Sequence, residues 1–168
     1  MADVPGLRPT AERIRETLFN WLAPIIEGAR CLDLFAGSGA LGFEAVSRGA
    51  ASAELVELAP AAAATLRQNI QLLQATDISV HQADALEFLD QRGSHPPFNV
   101  VFLDPPFAAG NYEELCRLLA DKGWLARGAL VYLEQDRNDD LPALPDGWQV
   151  KKEKTAGNVR YSLIKTAT

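Results

Sequence analysis

Short apolar runs alternate with amphipathic segments of helix length, and this alternation limits the possible folds of the 168-residue chain more than any other feature. The runs that favour strands are residues 30–35, 52–58, 78–82, 98–103 and 129–134. Segments with helical spacing are residues 10–22, 60–74, 85–90 and 111–120, and the turn Ala-Gly-Ser-Gly-Ala-Leu-Gly leads into another helix that ends near residue 48. Strands that alternate with helices pair in parallel and have helices on both faces of the sheet.

The last two apolar runs, residues 148–154 and 159–165, follow a different pattern. The link Thr155-Ala156-Gly157-Asn158 between them is typical of a hairpin. The sequence therefore predicts an α/β fold with a doubly wound, mostly parallel sheet that closes with a C-terminal antiparallel hairpin. We expect a single domain over residues 1–168, with an N-terminal helical segment (1–24) that begins at a Thr10 N-cap after Pro9 and an α/β core (30–168).

Composition excludes several classes of protein. A hydrophobic fraction of 48% with 23% charged residues is that of a globular protein rather than a disordered one. We identify neither an apolar run of membrane-spanning length nor a signal peptide. Cys31 and Cys116 show no CxxC spacing, and His81 and His95 follow no ligand pattern, so we expect a reduced, cytoplasmic protein without a metal site.

The net charge of −6 argues against a nucleic-acid partner when it is considered without its distribution. Basic residues are nevertheless concentrated in the closing hairpin, which carries Lys151, Lys152, Lys154, Arg160 and Lys165. If this hairpin borders the active site, it offers RNA a modest positive rim on an acidic protein, with weak and salt-sensitive binding.

A glycine-rich loop follows the first predicted strand and leads into a helix. Gly37-Ser38-Gly39-Ala40-Leu41-Gly42 has the spacing of a nucleotide-binding fingerprint, because glycine lets the backbone approach a ligand closely. Glu57 ends the second strand twenty residues after Gly37, where a carboxylate can accept hydrogen bonds from ribose hydroxyls. Together they predict a nucleotide-type ligand at this edge of the sheet.

Asp33 helps to choose among such ligands. A pyrophosphate would be repelled by this carboxylate just before the glycine loop, whereas a ligand with an amino group and a sulfonium cation would be attracted. S-adenosylmethionine (SAM) has both groups, as well as a carboxylate that suits backbone N–H groups. Asp84 and Ala85 follow the third strand, where Asp84 can either accept from the adenine amino group or cap the next helix.

The most specific motif is Asp104-Pro105-Pro106-Phe107 at the end of the fourth strand. Two prolines fix the backbone and bring no N–H donors. The motif can therefore present a carboxylate, a carbonyl oxygen and an aromatic face to an exocyclic amine. If Asp104 and the Pro105 carbonyl accept the two amine hydrogens, the nitrogen lone pair can be held toward a methyl donor while Phe107 stacks on the base.

With these motifs in place, the chain resembles the bacterial 16S rRNA (guanine(966)-N(2))-methyltransferase family of class I SAM-dependent methyltransferases, which have a Rossmann-like fold. The resemblance extends over nearly the whole chain. It rests on the segments LRPTAERIRETLFNWL (7–22), LDLFAGSGALGFEAVSRGA (32–50), VELAP (56–60), FNVVFLDPPF (98–107) and EKTAGNVRYSL (153–163).

The resemblance implies SAM as cofactor and 16S ribosomal RNA or the assembled small subunit as partner, without DNA, membrane or metal. It implies catalytic roles for Asp104, Pro105, Pro106 and Phe107, and it implies cofactor contacts for Asp33, Gly37, Ser38, Gly39, Glu57, Asp84, Ala85 and Thr10. Leu58-Ala59 stands where relatives place a second acid. Relatives also carry a basic segment ahead of Pro5, where this chain has Met1-Ala2-Asp3-Val4.

Three other interpretations remain open at this stage. The same amine chemistry would serve a methyltransferase that acts on DNA adenine or on a protein glutamine. A nucleotide-binding module without catalysis would have no need of the Asp104–Phe107 motif. An NAD-dependent oxidoreductase is disfavoured by Asp33 and by the lack of a substrate domain.

Overall fold

The computed structural model describes residues 7–105 and 111–167, with residues 7–10 described through their backbone alone. The helices are α1 (Leu7–Leu22), α2 (Ala40–Ser47), α3 (Pro60–Leu73), α4 (Ala85–Asp90) and α5 (Tyr112–Asp121). The strands are β1 (Arg30–Asp33), β2 (Ser52–Glu57), β3 (Ile78–Gln82), β4 (Phe98–Leu103), β5 (Leu125–Asp136), β6 (Gln149–Ala156) and β7 (Val159–Lys165).

The described strands form one sheet in the order β3-β2-β1-β4-β5-β7-β6. Strands β1 to β5 pair in parallel, and β7 pairs antiparallel with both β5 and β6. The predicted mostly parallel α/β fold with a closing hairpin is confirmed. The chain leaves β1 toward β2 on one side and reaches β4 on the other, so the carboxyl ends of β1 and β4 form the switch point at which such sheets bind ligands.

Alternating side chains of each strand fill two cores, one on each face of the sheet. In β4, Val100 and Phe102 face the side covered by α1 to α3, and Val101 and Leu103 face the side of α4 and α5. Because both faces are covered, the strand is apolar on both sides, which explains why residues 100–103 form a continuous hydrophobic run. The two cores hold the carboxyl edge of the sheet in a fixed position.

Most predicted boundaries agree with the structure within two residues, but two elements are longer than predicted. Helix α1 begins at Leu7 and not after a Thr10 cap, because a proline in the first turn lacks only an N–H that has no helical partner. Strand β5 begins at Leu125, four residues earlier than predicted, where it pairs with Phe98, and it extends to Asp136, whose backbone pairs with Val159 although its side chain breaks the apolar pattern. Among residues 7–105 and 111–167, no helix has both the length and the apolarity to cross a membrane.

Candidate active site

A cavity of about 780 Å³ lies at the carboxyl edge, above the switch point between β1 and β4. This volume is within the usual range of small-molecule sites. The sequence-predicted residues that line it are Asp33, Gly37, Ser38, Glu57, Asp84, Ala85, Asp104 and Pro105. The structure thus brings together residues from the ends of four strands and from the glycine loop.

The glycine loop turns between β1 and α2 through two residues in the left-handed region, Gly37 at φ 54° and Gly39 at φ 83°. Gly37 lines the cavity, whereas Gly39 is buried at the N-cap of α2 and is not among the lining residues. A Cβ on Gly39 would lie 2.6 Å from Leu66 Cδ2. Glycine at position 39 is therefore explained by backbone conformation and by packing against α3.

Glu57 supports the same loop from the end of β2. Its Oε1 accepts a hydrogen bond from the Gly37 N–H at 2.7 Å, and its Oε2 accepts one from the Ala59 N–H at 2.9 Å. A carboxylate has about four acceptor positions. Glu57 can therefore hold the loop and still accept hydrogen bonds from a ligand in the cavity.

Asp33 is the most deeply buried acid of the site, with 2% of its surface exposed. Burial raises the pKa of its carboxyl from the ordinary 3.8 to about 7, against the hydrogen bond that Oδ1 accepts from the Phe35 N–H at 3.1 Å. The charges of Glu57 and Glu134 raise this pKa further. A buried acid of this kind favours a ligand that brings positive charge.

Asp84 has the capping role that the sequence left open, and it also lines the cavity. Its Oδ2 accepts from the Glu87 N–H at 3.2 Å and caps α4, while Asp84 and the following Ala85 line the cavity. The cap fixes the carboxylate at the end of β3, where its remaining acceptor positions are available to a ligand.

Asp104 and Pro105, which follow the last residue of β4, also line the cavity. Burial raises the pKa of the Asp104 carboxyl far above its ordinary value, and a side-chain hydrogen bond with Glu134 raises it further. Two neighbouring carboxyl groups cannot both ionise easily, so the protonated form of Asp104 is favoured near neutral pH.

Glu134, which sequence reasoning did not single out, does not line the cavity but lies beside Asp104, whose pKa it raises. It lies near the end of β5, and its Oε1 accepts a hydrogen bond from the Tyr132 hydroxyl at 2.8 Å. The Tyr112 hydroxyl donates to the Glu134 carbonyl oxygen. Glu134 belongs to no local motif, but its position close to the carboxyl end of a predicted parallel strand was a usable signal.

For three predicted site residues the structure describes no side-chain contacts. Pro106 and Phe107 lie outside the described residues, and Thr10 lies in the first turns of α1, where only the backbone is described. Tyr112 contacts Glu134 and lines a separate cavity of about 570 Å³.

The sheet register also locates the basic hairpin. Tyr161 of β7 pairs with Glu134 on one side and with Lys154 on the other, so the hairpin turn lies at the same edge as the cavity. Lys165 pairs with Leu130 toward the opposite edge, so it cannot belong to a rim around the site. Arg160 is partly engaged within the protein, since it donates to Gln135 Oε1 at 3.2 Å and to the Asp139 carbonyl.

Comparison with known proteins places this geometry in a family. The family model described as "Conserved hypothetical protein 95" matches residues 1–165. The chain belongs to this family.

Named relatives of the family are methyltransferases. Ribosomal RNA small subunit methyltransferase D of Escherichia coli K12 is 52% identical over 161 residues, which are 96% of this chain and 80% of that protein. The protein of the same name from Haemophilus influenzae is 46% identical over 160 residues, 94% of this chain and 82% of its own length. The predicted membership in an rRNA methyltransferase family is thereby confirmed.

Solved structures agree in fold. The putative methyltransferase yhhF from Escherichia coli superposes with a TM-score of 0.89 at 48% identity and covers 98% of this chain and 89% of its own. SMU.776, a putative methyltransferase complexed with SAH, has a TM-score of 0.73 at 15% identity and covers 90% of this chain and 49% of its own. The second likeness, at this low identity, concerns the fold alone.

Proposed function

We propose that the protein transfers a methyl group from SAM to the exocyclic N2 amine of a guanine in small-subunit ribosomal RNA. The observation that carries the proposal is that Asp104 and Pro105 line the same cavity as Asp33, Gly37 and Glu57. Residues suited to an amine substrate and residues suited to a nucleoside cofactor therefore line a single cavity. The relatives named ribosomal RNA small subunit methyltransferase D support the substrate class.

The residues of the cavity fit SAM. Asp33, a buried acceptor with a raised pKa, suits its amino group. Glu57 suits the ribose hydroxyls, and Asp84 with Ala85 suits the adenine. When bound, SAM supplies an electrophilic methyl group on a positively charged sulfur.

Asp104 and the Pro105 carbonyl are the acceptors for the two amine hydrogens. An exocyclic amine is a weak nucleophile because its lone pair is delocalised into the ring, so positioning is the main contribution that these residues make. Pro105 has no N–H donor of its own, and its fixed φ restricts the backbone conformation that carries the two acceptors.

Glu134 influences whether Asp104 is protonated when the guanine binds, because it raises the pKa of Asp104. Burial and the neighbouring Glu134 both raise the pKa of Asp104, so the free protein favours its protonated form, and that proton competes with the amine hydrogen for the Asp104 oxygens. The guanine is therefore accepted best after Asp104 has lost this proton to solvent. We accordingly expect kcat/KM to rise with pH, and Glu134→Gln to move this rise to lower pH because it removes the neighbouring negative charge.

The substrate is tested by mapping the methylated nucleotide. The protein is incubated with labelled SAM and unmethylated small-subunit RNA, the assembled small subunit, duplex DNA or a glutamine peptide, and the products are digested and analysed by mass spectrometry. We expect N2-methylguanine at one position in the RNA or in the particle. Methyladenine in DNA or methylglutamine in the peptide would replace this proposal with the corresponding alternative.

The basic hairpin supports an RNA substrate only in part. Lys151, Lys152 and Lys154 are exposed on β6, but β6 lies at the outer side of β7 and β5, about three strand spacings from β4. Contacts at this distance suit a folded RNA rather than a single nucleotide. The assembled subunit is therefore the substrate we favour over naked RNA.

A further inference from the structure

The chain has two histidines, His81 and His95, and both contact the same carboxylate oxygen. Glu54 Oε1 lies 2.8 Å from His81 Nε2 and 3.2 Å from His95 Nδ1. Each of the three residues offers one ligand atom, and these atoms all lie within 4.8 Å of one another.

The three side chains come from different parts of the fold. Glu54 lies in β2, His81 lies in the neighbouring edge strand β3, and His95 lies in the loop between α4 and β4. None of them lines the 780 Å³ cavity. The cluster is therefore distinct from the candidate active site.

The surroundings fix the direction of all three groups. Arg30 Nη2 lies 3.6 Å from the other carboxylate oxygen, Glu54 Oε2, which leaves Oε1 directed at the imidazoles. The Phe88 ring packs against both imidazoles, with centroid distances of 5.1 Å to His81 and 5.4 Å to His95. Orientation of ligand groups by such outer contacts is characteristic of metal sites.

Two imidazole nitrogens and one carboxylate oxygen are also the ligand set of one class of zinc site with an open fourth position. In a tetrahedral site with bonds of about 2.0–2.2 Å, neighbouring ligand atoms lie about 3.3–3.6 Å apart. The 2.8 and 3.2 Å separations from Glu54 Oε1 would have to widen by a few tenths of an ångström to admit an ion, and the two imidazole nitrogens already lie within 4.8 Å of each other. A cavity of about 410 Å³, lined by Glu54, His95 and Ser79 among others, leaves space for a water at the fourth position.

We propose that Glu54, His81 and His95 bind a divalent cation of the zinc class, which links the edge strand β3 and the loop before β4 to the sheet. Without the ion, a neutral imidazole that donates to Glu54 Oε1 carries its proton on the facing nitrogen. Metal binding requires the lone pair of that nitrogen, so the proton moves to the other nitrogen of the same ring. The exchange involves no net loss of protons when both rings are neutral.

The first test is direct titration of the full chain, without a histidine tag, with Zn²⁺ by calorimetry and with Co²⁺ by visible absorption. We expect one ion per chain and the intense absorption of tetrahedral Co²⁺. His81→Gln and His95→Gln should each weaken binding at least as much as the roughly 10- to 100-fold cost of losing an outer contact. Asp77→Asn, a matched acidic control in the same cavity, should bind like the wild type.

Circular dichroism and SAM calorimetry check that each variant folds. Neither histidine lines the cavity of the candidate active site, so the affinity for SAM should stay unchanged. Absence of one-to-one binding in the wild type, or binding that survives both histidine changes, would overturn the proposal and leave the cluster as a hydrogen-bonded ion pair. Loss of binding in Asp77→Asn alone would also overturn it.

If a variant fails to fold, the wild type provides an independent test by nuclear magnetic resonance. Both imidazole spin systems should shift on addition of Zn²⁺, with the protonated ring nitrogen exchanged in each, and EDTA should reverse the change. A shift in one ring or in neither contradicts a site formed by both. The measurement uses no methyl transfer, so it is independent of the proposed enzymatic function.

Discussion

Two groups of acidic side chains in the same sheet have opposite electrostatic surroundings. Asp33, Asp104 and Glu134 at the carboxyl edge are close to other carboxylates, and burial together with these neighbours raises the pKa of Asp33 to about 7 and that of Asp104 still further. Glu54, in contrast, faces His81, His95 and Arg30, and its pKa is lowered chiefly by the hydrogen bond with His81.

The comparison separates an acid that faces cationic or hydrogen-bonding partners within the protein from acids whose pKa is raised by other carboxylates. The partners of Glu54 are supplied by the protein, so its charge favours the folded state. The acids at the carboxyl edge repel one another until a ligand brings positive charge or hydrogen-bond donors. Buried carboxylates without cationic partners are costly, which is why such arrangements concentrate at functional sites.

The largest expected effect comes from removing Asp104, the carboxyl group that neighbours Glu134 and is proposed to contact the guanine amine. Asp104→Ala should lower the rate of methyl transfer by roughly 10²–10⁴-fold, the usual range for a positioned acid or base, while SAM affinity stays nearly unchanged. Steady-state kinetics and calorimetry measure the two quantities separately. The exposed Asp121→Ala is the control, and near-normal turnover of Asp104→Ala would remove Asp104 from the mechanism.

A smaller loss is expected at the cofactor side. Glu57→Ala should weaken SAM binding by about 1–3 kcal/mol, the usual cost of losing a charged hydrogen-bond acceptor, and calorimetry would show a loss of about 5- to 150-fold. Glu57 also holds the N–H groups of Gly37 and Ala59, so Glu57→Gln, which keeps one carbonyl acceptor, should lose less. Equal affinity of Glu57→Ala and wild type would exclude the ribose contact.

Asp33 connects the comparison to pH. A cationic ligand requires the ionised form, so SAM affinity should fall about tenfold per pH unit below pH 7 in the wild type, whereas Asp33→Asn should lack this dependence. The pH dependence of folding stability has the opposite sign to that of SAM affinity. The folded pKa exceeds the unfolded value, so ionisation of Asp33 costs stability as pH rises from about 4 to about 7, and Asp33→Asn should melt higher than wild type at pH 8. An unchanged pH profile of SAM affinity in Asp33→Asn would contradict this role.

The smallest effect is a change in folding stability at Glu54, whose partners His81, His95 and Arg30 belong to the protein itself. Glu54→Gln, measured with EDTA present, should lose about 1 kcal/mol of unfolding free energy at pH 7. Because the folded pKa of Glu54 is lowered, this difference should disappear as pH falls through that pKa. Glu44→Gln, whose partners Arg15 and Arg48 form surface pairs, should change stability by less than about 0.5 kcal/mol. Urea unfolding at several pH values measures the unfolding free energy of both variants. Equal losses in the two variants would show that the Glu54 cluster stabilises the fold no more than a surface ion pair does.

The sequence located the carboxyl-edge residues because parallel strands end at one edge of a sheet. Asp33, Glu57, Asp84 and Asp104 each follow or end a recognisable apolar run, so their convergence required no knowledge of side-chain contacts. Glu134 satisfies the same rule, but the predicted strand stops there without a turn motif that would mark a functional residue.

The histidine cluster could not be predicted from local patterns. Glu54 and His81 lie 27 residues apart and meet because β2 and β3 pair in a particular register, two residues off direct opposition. His95 reaches them through an irregular loop whose carbonyls at Pro96 and Pro97 accept hydrogen bonds from Arg30. Neither strand register nor loop conformation is encoded in the spacing of these residues along the chain.

The outermost strand β6 has a consequence for behaviour at high concentration. One side of this strand has no partner strand in the described sheet, and such an edge can pair with another copy of the chain and begin aggregation. Exposed Lys151, Lys152 and Lys154, together with the register shift between Val150 and Lys152, oppose that pairing by charge repulsion and by irregular geometry. Replacing these lysines to test RNA binding would therefore also lower solubility, and glutamine variants need to be compared by light scattering before a loss of activity is assigned to RNA.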